Sequence, residues 1–187
     1  MLNLINLEEI QAILLLVPGL IRELELRNVN FADSVKVWLA HAEHVLSNNR
    51  LAAAAQVAGL RGVLISAERG VIPSGLIFSK RATPRMIRDA AAAEVLRKAE
   101  ELISSAINTD TARFAEGEKL MRQIVAVAHK KRLTVVAPVA TSHSEMLKSI
   151  WQAMIEDPDL GTAATHLVGL VGAHDVLILL DRMLLRP

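Results

Sequence analysis

The segment 83–108, TPRMIRDAAAAEVLRKAEELISSAIN, decides the fold class. Thr83 is a favourable N-cap residue, and Pro84 suits the first helical position because its missing N–H would be unpaired there anyway. The residues that follow contain neither glycine nor proline and are rich in strong helix formers. We therefore predict a long helix that ends near Asn108.

Similar boundary signals continue on both sides of this segment. Pro18 predicts a kink or split in a first helix that ends near Arg27, and Gly70 stands where a C-terminal glycine belongs. Ser142 and Glu145 have the spacing of a capping box. Further boundaries are predicted at Asn30, Asn48–Asn49, Asp110, Asp157–Pro158–Asp159 and Gly172. No stretch alternates with period two for long enough to build a sheet, so the sequence predicts an all-α bundle of six to eight helices.

Two stretches of the chain resemble each other. AAAQVAGLRG at Ala53–Gly62 aligns with AATHLVGLVG at Ala163–Gly172, and the two tryptophans, Trp38 and Trp151, each precede one copy. One interpretation is a single domain of two pseudo-symmetric three-helix units joined by a central helix. Its parts would be 1–70 and 110–187, linked by the helix 83–108, within one domain 1–187. The alternative is convergence, because closely packed helices favour alanine and glycine in any protein.

Small residues form a stripe within these matching segments. A glycine in a helix interior costs about 1 kcal/mol relative to alanine, and a close approach of two helices would offset that cost. The sequence therefore predicts close helix packing at a set of six small residues. They are Ala54, Ala58, Gly59, Gly62, Gly169 and Gly172.

The composition favours a protein that associates with other subunits. Hydrophobic residues make up 52% of the 187, while the net charge is only +1. Apolar surface beyond what one core needs usually forms an interface. The most apolar tracts, 12–21 and 160–173, are shorter than the roughly 20 residues of a membrane span. We predict a cytoplasmic, bacterial-type protein without a membrane span or secretory leader.

Most catalytic and cofactor motifs are missing from the sequence. The absence of cysteine excludes disulfides and thiol chemistry. Gly70 and Gly75 have P-loop spacing, but Leu76 stands where the lysine must follow. His41 and His44 share a helical face, yet a lone pair of this kind is usually solvated surface. We predict no metal and no cofactor, and the sequence leans against an enzyme.

One pair of residues is a weak catalytic candidate. Arg122 and His129 are separated by six residues, a spacing similar to that of the arginine and histidine in helical HEPN-type ribonucleases. Chance supplies about one such match in a chain of this composition. We therefore assign no family and keep the pair only as an alternative.

A cluster of cations surrounds the start of the central helix. Lys80, Arg81, Arg85 and Arg88 lie there, and only Asp89 is nearby to offset them. A helix N-terminus already carries partial positive charge, so four cations favour a bound anion such as a phosphate, a nucleic-acid backbone or an acidic partner. The alternative is that the long side chains extend into water, where their repulsion costs little.

Two functional hypotheses follow from these observations. The first is a non-enzymatic helical interaction or assembly module that self-associates, supported by the apolar excess and the missing catalytic motifs. The alternative is a nucleic-acid-associated helical domain, either a HEPN-like ribonuclease using Arg122 and His129 or a small RNA- or DNA-binding subunit using the basic cluster. Arginine outnumbers lysine 14 to 7 in the sequence, which suits fixed contacts in either case.

Overall fold

A computed structural model describes residues 1–71, 82–134 and 142–185 of the chain. Every regular element in these ranges is helical, which confirms the predicted all-α bundle. The described part contains eight helices. They are α1 (Leu4–Leu14), α2 (Val17–Glu25), α3 (Phe31–Asn48), α4 (Ala53–Glu68), α5 (Pro84–Lys130), α6 (His143–Glu156), α7 (Gly161–Val171) and α8 (Ala173–Leu185).

Several helix boundaries follow directly from local chemistry. Pro18 lies in the first turn of α2, and the first helical segment is split just before it. At the start of α5 the Thr83 hydroxyl accepts a hydrogen bond from the Met86 N–H at 3.3 Å. The Ser142 hydroxyl likewise accepts from the Glu145 N–H at 3.2 Å. These caps satisfy donors that a helix start leaves unpaired.

The central helix is longer than predicted. The expected end near Asn108 and the expected new cap at Asp110 are wrong, because α5 runs unbroken for 47 residues. Asparagine, threonine and aspartate each cost only a few tenths of a kcal/mol in a helix interior, and no proline or glycine stands at this point. The Asp110 carboxylate pairs with Arg113 at 2.7 Å on the next turn instead of capping a helix start.

The chain divides into two compact units, and the division falls within α5. The N-terminal unit comprises Leu2 and Leu4–Asn108, and the C-terminal unit comprises Met1, Asn3 and Thr109–Pro187. The proposed repeat of 1–70 and 110–187 stays a prediction.

In the N-terminal unit, α3 packs against α1, α2 and α4. Its Trp38 is buried, and the indole N–H donates to the Ile13 carbonyl at 2.9 Å. That carbonyl lies at the end of α1, where the helical ladder is interrupted. Trp38 therefore joins α3 to the break between α1 and α2.

In the C-terminal unit, α6, α7 and α8 pack on one another, and Trp151 is buried. Gly172 has a φ of +95° and separates α7 from α8, which matches the predicted break. The Lys131 ammonium lies 2.6 Å from the Asp157 carboxylate in the turn before α7. This hydrogen bond holds the pKa of Asp157 below its ordinary value.

Two stretches have the apolar content of membrane-crossing segments. Leu4–Glu25 has the required length and a mean hydropathy of 1.7, with 33% of the window buried. The helices α7 and α8 reach this length and apolar content only when they are taken together as one span, which is bent by 115°. Core helices and leader sequences share these properties, and the inward face of α1 is buried in the N-terminal unit.

Candidate functional site

An apolar groove lies between α2 and α3 in the N-terminal unit. It has a volume of about 590 Å³. Leu16, Gly19 and Leu20 line one wall, and Val37 and Trp38 line the other. Leu20 and Trp38 are buried at its base. The groove is large enough to accept side chains of a docked helix.

Large apolar side chains stand exposed at and beside this groove. Leu15, Leu16, Leu26 and Val37 expose 78%, 52%, 72% and 69% of their surface. Fully burying such a side chain stabilises a structure by roughly 1.5–3 kcal/mol. Leu16 and Val37 line the groove itself, and Leu15 and Leu26 lie just beyond the two ends of α2. Exposed apolar surface of this kind often marks an interaction site.

Two of the polar side chains that line the groove, Glu23 and Asp33, are acidic. One Glu23 carboxylate oxygen, Oε2, is shielded from solvent and has no hydrogen-bond partner in the described part of the chain. Asp33, by contrast, lies 3.3 Å from Lys36 and 3.9 Å from Arg88. Lys36 also donates to Glu68 at 2.7 Å, and this hydrogen bond is the main reason that its pKa is raised. Glu23 is therefore the acid that the surrounding cations leave uncompensated.

Arg85 and Arg88, two members of the predicted anion site, bind the protein's own backbone. The Arg85 guanidinium donates to the Arg27 carbonyl at 2.7 Å, and that of Arg88 donates to the Val29 carbonyl at 3.0 Å. Both acceptors lie in the turn after α2, where Arg27 has a φ of +53°. Lys80 and Arg81 lie outside the described residues. Arg85 and Arg88 thus hold the turn between α2 and α3. The sequence does not reveal this role, because each arginine is nearly 60 residues away from the carbonyl that it binds.

We expect Arg88→Ala to lower the free energy of unfolding by about 1.5 kcal/mol. The variant leaves a carbonyl acceptor without its charged donor, and such hydrogen bonds contribute at about this level. Urea unfolding followed by circular dichroism measures the change. Arg122→Ala, at an exposed arginine on α5, is the control and should stay within about 0.5 kcal/mol. The anion site would be favoured instead if Arg88→Ala left the urea midpoint of unfolding unchanged and phosphate stabilised the wild type but not the variant.

The structure places Arg122 and His129 on the same exposed face of α5. Seven residues correspond to about two helical turns, or roughly 10 Å along the axis. His129 Nδ1 lies 3.4 Å from the Thr134 hydroxyl. The pair is accessible, but its side chains start two turns apart and share no described partner.

Two of the other histidines contact polar side chains of the protein itself. His44 Nε2 lies 3.1 Å from the Asn48 amide, and His143 Nε2 lies 2.7 Å from the Asp181 carboxylate. Within 1–71, 82–134 and 142–185, no three histidine, aspartate or glutamate residues come close enough to hold a metal ion.

The predicted close helix packing is not found at the glycines of the small-residue stripe. A methyl group built on Gly59, Gly62, Gly169 or Gly172 meets no described atom within 4 Å. Of the two alanines, Ala54 is buried and Ala58 is half-buried. The glycine positions therefore face open space in the part of the chain that the structure describes.

A close approach does occur at Gly117, which sequence reasoning missed. A methyl group there would lie 2.6 Å from Val171 Cγ1 and 3.6 Å from Leu167 Cδ1. Gly117 stands between Glu116 and Glu118, so no small-residue stripe draws attention to it. A lone glycine within a polar helical stretch was the available signal.

No family model matches the chain, and neither a curated protein nor a solved structure matches it.

Proposed function

We propose that this protein is a non-enzymatic interaction module that self-associates in the cytoplasm. The observation that supports the proposal is the apolar groove between α2 and α3 together with the exposed side chains of Leu15, Leu16, Leu26 and Val37. Water around these side chains is released when a partner covers them, and that release drives association. Association with a partner that covers this surface is the function that the described geometry supports best.

The charge of α2 favours a protein partner over a membrane surface. Helices that lie on anionic membranes carry lysine and arginine along their polar face. In α2 the charged residues are Arg22, Glu23 and Glu25, so acids outnumber cations. The whole chain has a net charge of only +1, which adds little attraction to an anionic bilayer.

Two measurements test this proposal: the mass of the protein in solution, and the change in that mass when one charged side chain is introduced into the groove. We expect light scattering to give a mass above 20.4 kDa, and Val37→Glu to shift the population toward the monomer. Leu185→Glu is the matched control, because Leu185 on α8 is also 69% exposed but lies outside the groove. A strictly monomeric wild type at high protein concentration would refute self-association.

A nucleic-acid-associated role is the second candidate, because Arg122 and His129 share an exposed face of α5. It predicts that the protein retains labelled RNA at low salt and releases it steeply as salt rises. Its ribonuclease form predicts that His129→Ala abolishes cleavage. Absence of RNA and DNA retention at low salt would remove this candidate.

A further inference from the structure

We propose that a pocket between the end of α2, the start of α3 and the first turns of α5 binds a small amphiphile that has a carboxylate head and an apolar chain. The pocket has a volume of about 660 Å³, which suits a small molecule. All of its lining residues belong to the N-terminal unit, and it shares none of them with the groove between α2 and α3. Binding here is therefore independent of the proposed self-association.

Most of the residues that line this pocket are apolar. Met86 exposes 57% of its surface, so the apolar lining is open to solvent in the single chain. Two alanines one turn apart on α5 leave room beside the helix for an apolar chain, which binding would remove from water. The apolar residues are Leu24, Phe31, Met86, Ala90 and Ala93.

The polar side chains of the pocket offer hydrogen-bond donors. Asn28 Oδ1 already accepts from the Asn30 N–H at 3.0 Å, so the donors of its amide nitrogen remain for a ligand. Arg85 donates from Nη2 to the Arg27 carbonyl and from Nε to the Asp89 carboxylate, and its Nη1 makes neither bond. The Arg27 guanidinium forms no ion pair within 1–71, 82–134 and 142–185. A ligand that accepts hydrogen bonds suits these groups.

The charge of the pocket favours an anion. Asp89 is the one acid among the lining residues, and it is shared between two arginines. Its Oδ2 lies 3.4 Å from Arg85 Nε, and its Oδ1 lies 3.8 Å from Arg88 Nε. Arg27 therefore adds a positive charge that this acid does not offset. A guanidinium can bind a carboxylate through two parallel hydrogen bonds, which makes a carboxylate the head group that fits best.

Calorimetry with ligands that share one alkyl chain tests the head group. We expect octanoate, used below its micelle-forming concentration, to bind the wild type at least about tenfold more tightly than octanol or octylamine, because a charge-assisted hydrogen bond contributes at this level. Acetate, which lacks the chain, should bind far more weakly than octanoate. Absence of octanoate binding, or equal binding of octanoate and octanol, would overturn the proposal. Acetate that bound as tightly as octanoate would also overturn it, by showing an anion site without an apolar part.

Arg27→Gly tests the proposed charge without disturbing the turn. Arg27 has a φ of +53°, which glycine adopts without strain. This variant should weaken octanoate binding by about tenfold and leave octanol binding unchanged. Arg50→Gly is the matched control, because Arg50 is an exposed arginine with a φ of +55° at the end of α3 and lies outside the pocket. Equal octanoate affinities for the two variants would refute the role of Arg27.

Ala93→Leu tests the apolar part of the site. The larger side chain occupies the space beside α5, so this variant should weaken octanoate and octanol binding alike, while circular dichroism confirms that it remains helical. Val37→Glu, which changes the groove between α2 and α3, should leave octanoate binding unchanged. If Val37→Glu removed octanoate binding and Ala93→Leu did not, the ligand would occupy that groove, and the proposed pocket would be wrong. A monomeric wild type that still bound octanoate would refute self-association alone.

Discussion

Gly117→Leu is expected to lower the free energy of unfolding by about 1–2 kcal/mol. The first side-chain carbon would lie 2.6 Å from Val171 Cγ1, well inside van der Waals contact. Val171 is 2% exposed, and a β-branched side chain has few other rotamers to adopt. Overpacking of this kind typically costs 1–3 kcal/mol, and the larger leucine outweighs the ~1 kcal/mol regained by removing a helical glycine.

Gly169→Leu is the control for this prediction. Gly169 lies in α7 of the same unit, and a methyl group there meets no described atom within 4 Å. The Gly169→Leu substitution should therefore stabilise the protein by up to about 1 kcal/mol, because leucine has the higher helix propensity. Urea unfolding followed by circular dichroism compares the two variants. Equal midpoints would show that α5 does not approach Val171 as closely as the structure indicates.

Trp38→Ala is expected to cost about 3–5 kcal/mol of unfolding free energy. The indole is 4% exposed, and removing a large buried ring loses its transfer free energy and leaves a cavity. Trp38→Phe should cost less, about 1–2 kcal/mol, because it keeps an aromatic ring but removes the N–H that donates to the Ile13 carbonyl. Thermal and urea unfolding by circular dichroism would measure both variants.

An exposed substitution, Lys98→Ala on α5, serves as the reference and should stay within about 0.5 kcal/mol. If Trp38→Ala were no more harmful than this reference, Trp38 would not be part of the core. If Trp38→Phe matched the wild type, the hydrogen bond to Ile13 would contribute nothing measurable.

The helix starts were predictable because their causes are local. Pro18, Thr83 with Pro84, and Ser142 each act on backbone groups within one turn. Asp110 failed as a boundary for a physical reason: a residue that favours a cap also tolerates a helix interior.

The groove and the close helix contact were not predictable, because they depend on which elements meet. Gly59 and Gly117 are both helical glycines, but of these two it is Gly117 that lies close to another helix in the described residues. Arg85 is a surface cation by sequence, yet it bonds to the Arg27 carbonyl 58 residues away. The apolar excess predicts an interaction surface, but it does not point to the groove between α2 and α3 at which we propose one.

The placement of the two tryptophans gives the protein a built-in optical probe in each unit. Trp38 belongs to the N-terminal unit and Trp151 to the C-terminal unit, and the chain contains no tyrosine. Near-ultraviolet emission therefore comes from these two indoles with no phenol background. A Trp151→Phe variant would report only on the surroundings of Trp38, and a Trp38→Phe variant only on those of Trp151. Fluorescence can thus follow the unfolding of each unit without an added label.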